Sequence, residues 1–103
     1  MKRALLATSL VVLTAVGAAL AYHTTARERD YRAALARGDA ALRNDQTYLA
    51  VEAYSGAVAL RPDSMLARLR RAEAYHRRGD VEEAARDLRT AAALDPTATP
   101  PLD

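Results

Sequence analysis

The chain has no cysteine, no tryptophan and no phenylalanine, and only four glycines and four prolines among its 103 residues. Without cysteine there is no disulfide, no thiol nucleophile, no thiolate metal site and no lipid-modified N-terminal cysteine. Tyrosine is the sole aromatic, so the stacking platforms of a single-strand nucleic-acid binder are lacking. No glycine-rich phosphate loop occurs. Histidine appears only as His23 and His76, neither with a Ser/Asp partner or a second metal ligand at useful spacing. Of the serines, Ser9 sits in an apolar run, Ser64 fits a helix cap, and Ser55 has no base nearby in sequence. These absences predict that the protein is not an enzyme and holds no cofactor and no metal.

An excess of positive charge is also lacking where it would matter. The net charge is +2, but Lys2 and Arg3 precede the apolar run, and the remaining 13 arginines face 13 acidic residues. A phosphate-binding surface should not be neutral, so nucleic acid is not an expected partner.

What is present begins with "MKRALLATSLVVLTAVGAALAYH". After Lys2 and Arg3 the chain is uncharged from Ala4 to Tyr22. As a helix, that stretch spans about 28 Å, close to the hydrocarbon thickness of a bilayer. The reading is an N-terminal transmembrane anchor over residues 1–23, with a cytoplasmic N-terminus and the remainder exported. A cleaved signal peptide is the alternative, with Ala19-Leu20-Ala21 as the small-x-small site and a secreted or periplasmic product. A buried soluble helix is the third. No Pro or Gly lies between Gly17 and Gly38, so the apolar helix can continue unbroken past Tyr22 into the charged segment.

The rest of the chain repeats itself. "VALRPDS" at 58–64 is answered by "AALDPTA" at 92–98. Residues 29–62 laid on 63–96 without a gap give ten identities, against roughly four expected from composition. They are Ala33/Ala67, Leu35/Leu69, Arg37/Arg71, Ala40/Ala74, Arg43/Arg77, Ala50/Ala84, Ala57/Ala91, Ala59/Ala93, Leu60/Leu94 and Pro62/Pro96. Each unit reads as two helices. In the second, Asp63 or Ser64 caps a helix to Arg78, and Gly79 gives the left-handed stop. Asp80 and Glu83 form a capping box, and the last helix ends at Leu94-Asp95 before Pro96. The first unit predicts helices at about Thr25 to Arg43 and Thr47 to Leu60, with a turn at Asn44-Asp45.

On these residues the chain resembles the tetratricopeptide repeat family. The second unit carries Ala72, Tyr75, Gly79-Asp80, Ala84, Leu88, Ala91, Leu94 and Pro96, and the first Gly38, Ala50, Tyr54, Ala57, Leu60 and Pro62. Arg37 and Arg71 stand where the family usually has leucine, and Ala34 and Arg68 where it favours an aromatic. The resemblance implies an all-α fold: a transmembrane helix, then two stacked helical hairpins across residues 24–98. Small residues at Gly38/Ala72, Ala50/Ala84 and Ala57/Ala91 let backbones approach, and Tyr54, Tyr75, Leu88 and Leu94 are expected to fill the remaining space. Residues 99–103 read as a tail or the start of a truncated third unit.

The resemblance also implies that the first helix of each unit lines a concave groove. Carried over by position, the lining is Arg32, Leu35, Asp39, Leu42 and Arg43, then Leu66, Leu69, Arg70, Glu73, His76 and Arg77. Family members that grip a C-terminal carboxylate use Lys and Asn at several of these places, which here hold Leu35, Leu69, Asp39 and Glu73. The basic cluster Arg68, Arg70, Arg71, Arg77 and Arg78, with His76, is followed by a helix with Asp80, Glu82, Glu83, Asp87 and Asp95, which predicts charge complementarity within the hairpin. A groove for an acidic peptide is the sharper alternative. "RGD" occurs twice, at 37–39 inside a helix and at 78–80 as an inter-helix turn. The expected function is a membrane-anchored adaptor of the bacterial cell envelope type, binding a protein or peptide. The alternative is a self-assembling structural subunit using the face of the last helix around Val81, Leu88 and Ala92.

Overall fold

The structure, a computed structural model, describes residues 2–95 and 97. Among them there are four helices: α1 (Lys2–Arg43), α2 (Thr47–Leu60), α3 (Met65–Arg78) and α4 (Val81–Leu94). The expectations for Pro96 and for a third unit at 99–103 lie outside the described residues.

The helix expected to begin near Thr25 has no beginning of its own. α1 is one element of 42 residues that carries the apolar run directly into the first repeat helix. At the junction, the Thr24 and Thr25 hydroxyls donate to the Leu20 and Ala21 carbonyls, both at 2.8 Å, so the polar side chains are satisfied along the helix itself. Every described side chain from Lys2 to Thr25 is exposed, and none touches the repeat body closely enough to be covered. Burial starts where charge starts: Tyr31, Ala34, Leu35, Gly38, Ala41 and Leu42 form the inward stripe of α1 at helical spacing.

α1 and α2 make one hairpin and α3 and α4 the next. The close approach in the first hairpin falls at Gly38, where an added Cβ would sit 2.8 Å from Tyr54 Cζ and nearer still to Cε1. A helix-interior glycine is therefore required there by the ring beside it. Ala50, Ala57, Ala67 and Ala74 are fully covered, and with Tyr31, Leu35, Val51, Tyr54 and Val58 they form one apolar cluster shared by α1, α2 and α3.

The helix ends follow local chemistry. Asp45 takes a left-handed φ of 58° in the first turn, and Gly79 takes φ 89° in the second, its N–H bonded to the His76 carbonyl. Ser64 caps α3, its Oγ accepting from the Ala67 N–H at 3.1 Å. The capping box expected at Asp80 and Glu83 is not formed: the Asp80 side chain makes no cap bond. Its Oδ2 instead lies 2.6 Å from Arg78 Nε, an ion contact whose angle falls short of a hydrogen bond. After α4, Asp95 Oδ1 accepts from both the Thr97 N–H (2.9 Å) and its hydroxyl (2.7 Å).

Two residues expected in the core are not covered. Leu88 is 50% exposed and Leu94 37%. Leu88 is the 34-residue counterpart of buried Tyr54, which has the second hairpin against it; no helix among the described residues stands there for Leu88.

Candidate functional site

α1 and α3 run side by side in the same direction, joined at three heights. Tyr31 and Ser64 share a hydroxyl–hydroxyl bond of 2.6 Å. Arg70 Nη1 donates to Asp39 Oδ2 at 2.7 Å, and Arg77 Nη1 donates to the Leu42 carbonyl at 3.2 Å. The upper two rungs close the floor of a furrow of about 260 Å³, lined by Asp39, Leu42, Arg43, Tyr54, Arg70, Glu73 and Arg77.

Asp39 is the hub of this furrow. Its Oδ1 accepts the Tyr54 hydroxyl at 2.6 Å while its Oδ2 holds Arg70. Burial of the ring, then the bond to Asp39 and its negative charge, push the Tyr54 pKa well above its ordinary value of 10.0, so the phenol stays a donor. Glu73 accepts Arg77 Nη2 at 3.0 Å, one turn along α3. Arg43 ends α1 and makes no ion pair among the described residues. Three guanidinium groups and two carboxylates thus line the furrow above the buried Leu42, a surface suited to a ligand that presents a carboxylate.

Of the side chains assigned to the groove from sequence, Asp39, Arg70, Glu73 and Arg77 are brought together, with Leu42 and Arg43. Leu35 is a correction: it is 9% exposed and belongs to the apolar cluster with residues of α2 and α3. It lies four residues after Tyr31 and three before Gly38, on the same inward stripe. Its counterpart Leu69 is 40% exposed, because no helix among the described residues stands beyond α3 as α3 stands beyond α1. Leu66 is likewise exposed on α3 and His76 sits exposed near its end, all three outside the furrow. Arg32 is also outside it, paired with Glu28 at 3.1 Å in open solvent.

Tyr54 is the furrow residue that sequence reasoning missed, because its ring reads only as core filler. A buried phenol needs a partner for its hydroxyl, and the carboxylate next to Gly38 is the signal that could have supplied it.

Of the arginines that break the family pattern, Arg68 and Arg71 form a second cluster. Arg71 grips Asp87 with two bonds of 2.7 Å, from Nε and Nη2, and reaches Ser55 on α2 at 3.3 Å. Arg68 Nη1 stands 3.9 Å from the same carboxylate, which is 1% exposed. The bonds to Asp87, against a partial offset from burial, raise the Arg71 pKa. This ties α2, α3 and α4 together, a structural rather than ligand-facing use of charge. In the first unit the corresponding Arg37 faces Ala53 instead of a carboxylate and lines an open depression of about 440 Å³ with Leu49, Glu52 and Gly56. That depression is the flank which α2 covers on the second unit, and its lining has fewer directed polar groups than the furrow.

A family model described as a tetratricopeptide repeat matches residues 35–99. No curated protein and no solved structure matches.

Proposed function

Because the chain belongs to the tetratricopeptide repeat family, whose repeats generally mediate protein–protein interaction, we propose that it is a membrane-anchored adaptor, a binding module and not an enzyme. Residues 4–22 cross the bilayer, the N-terminus stays in the cytoplasm, and the repeats are exported. A protein or peptide partner binds in the furrow between α1 and α3.

The observation that supports binding is the furrow's prior order. Tyr54 and Arg70 already bond Asp39, and Arg77 bonds Glu73 and the Leu42 carbonyl, at 2.6 to 3.2 Å, so few rotamers remain to be frozen when a ligand arrives. Anchoring is supported by α1, the one helix among the described residues long and apolar enough to span, with its apolar window uncovered by the rest of the chain. Lys2 and Arg3 set the orientation. In this arrangement an acidic side chain of the ligand meets Arg43 and Arg77.

The test is a photo-crosslinking amino acid at Glu73, compared in native membranes with one at Glu82 on α4. The expected result is a discrete adduct at 73, absent at 82 and lost when Arg43→Glu is added. Equal labelling at both positions, or an adduct indifferent to Arg43→Glu, overturns the furrow as the binding site.

A second reading is favoured by the exposure of Val81 (63%) and Leu88 (50%) on α4. Copies of the chain would meet through that face. Light scattering of the detergent-solubilised protein distinguishes them: a monomer that becomes no larger with concentration removes this reading.

A further inference from the structure

The joint between α1 and the loop after α2 fixes which end of the repeat body faces the lipid. Arg27, five residues past Tyr22, donates to the Leu60 carbonyl at 3.2 Å. Glu28 accepts Arg61 Nη1 at 3.4 Å. The Arg61 guanidinium lies over the Tyr31 ring at 4.8 Å, and the Tyr31 hydroxyl is bonded to Ser64. Four contacts, made by Leu60, Arg61 and Ser64, therefore clamp residues 60–64 to about one turn and a half of an uninterrupted helix.

We propose that in the anchored protein the Arg61–Ser64 loop and the C-terminal end of α4 rest against the lipid headgroups, while the turn after α1 and the Gly79 turn point away. The inference rests on the anchoring reading above and adds the orientation of the body to it. At the helical rise, Arg27 stands ~8 Å and Tyr31 ~14 Å beyond Tyr22. The headgroup layer on one side of a bilayer is about 5–8 Å thick, so the loop sits at its outer edge. α4 returns antiparallel to α3 with the same 14 residues, which brings Leu94 level with Met65 at that same end. Asn44, by contrast, lies ~33 Å beyond Tyr22.

Charge decides the character of this contact. Arg27, Arg29 and Arg61 are matched at this end by Glu28, Asp30 and Asp63. The loop is held close to lipid by the rod of α1 and not by attraction to anionic headgroups. Proximity therefore needs no acidic lipid.

The orientation also sets the class of partner. The furrow residues Asp39 and Arg43 are held ~26 and ~32 Å above the end of the apolar run. A ligand tethered in the same membrane must bring at least about 8 extended residues, or a folded domain, beyond its own span. A lipid headgroup or a shorter juxtamembrane tail cannot reach.

The chain has no native cysteine, so single labels are unambiguous. The full-length protein carries one nitroxide at Asp63→Cys, Ala93→Cys, Asn44→Cys or Val12→Cys, in phosphatidylcholine nanodiscs doped with a nickel-chelating lipid. The expected result is several-fold stronger nickel relaxation at 63 and 93 than at 44, unchanged by added anionic lipid, with oxygen accessibility at 12 placing that label in the hydrocarbon. A buried label at 12 with equal relaxation at 63, 93 and 44 overturns the orientation and leaves anchoring intact. A water-exposed label at 12 overturns anchoring itself, and the orientation with it.

Discussion

Replacing Asp87 by alanine removes the one carboxylate that three helices share. Asp87 is 1% exposed, and Arg71, whose side chain is 14% exposed, gives it two bonds of 2.7 Å. The truncation leaves the Arg71 guanidinium with the Ser55 hydroxyl at 3.3 Å as its remaining directed partner. Breaking a buried pair on one side costs about 3–5 kcal/mol. The lower end applies, since Arg71 has a long flexible stem and a partial path to water. A repeat body of about 70 residues has a total stability of roughly 4–10 kcal/mol, so Asp87→Ala removes a third of it or more. With a urea slope near 1 kcal/mol/M for a domain of this size, the midpoint falls by ~3 M. The assay is urea unfolding of the full chain in detergent, followed by near-ultraviolet tyrosine dichroism and by hydrogen exchange in α3 and α4. Removing both charges with Arg71→Leu/Asp87→Leu is expected to return stability to within about 1 kcal/mol of the parent, because neither group is then left buried and unpaired. A near-silent Asp87→Ala, or a double variant as unstable as the two single ones summed, refutes the coupling.

Two further perturbations have signs set by the structure. Gly38→Ala drives a methyl into the Tyr54 ring and should destabilise by about 1–3 kcal/mol despite alanine's better helix propensity, whereas Gly56→Ala, with nothing within 4 Å, should stabilise by about 1 kcal/mol in the same urea assay. The raised pKa of Tyr54 means that the folded state keeps this proton at pH values where the unfolded chain loses it. Its contribution to stability is complete below about pH 10 and declines as pH rises further. Tyr54→Phe is expected to remove that part of the alkaline slope, and an identical slope in both proteins would contradict the raising of the Tyr54 pKa by burial and by Asp39.

The repeat was legible because its signals are small residues and stops at a fixed spacing. Ala50, Ala57 and Ala84 are buried where backbones approach, and Gly79 turns the chain with a positive φ. What was not legible depended on neighbours that a period cannot supply. Leu35 and Leu69 are identical in the alignment of the two units, yet one is core and the other surface, because among the described residues only the first has a helix beyond it. Leu88 and Leu94 fail as core residues for the same reason. Asp80 satisfies the pattern of a capping box, but the adjacent Arg78 competes for its carboxylate at 2.6 Å. The pairing of Arg71 with Asp87 was implied only as a general complementarity between helices; that one carboxylate would be fully buried required knowing how α2 closes over it.

The height of the furrow above the bilayer depends on α1 being a single rod from the apolar run into the first hairpin. Nitroxide labels at Ala18→Cys and Ala36→Cys, both on exposed positions of α1, measure this directly by double electron–electron resonance on the full chain in nanodiscs. A single rod gives one narrow distance distribution centred near ~27 Å, the rise of 18 helical residues. A broad distribution, or a dominant shorter distance, would mean a joint between the two segments and would contradict the rod.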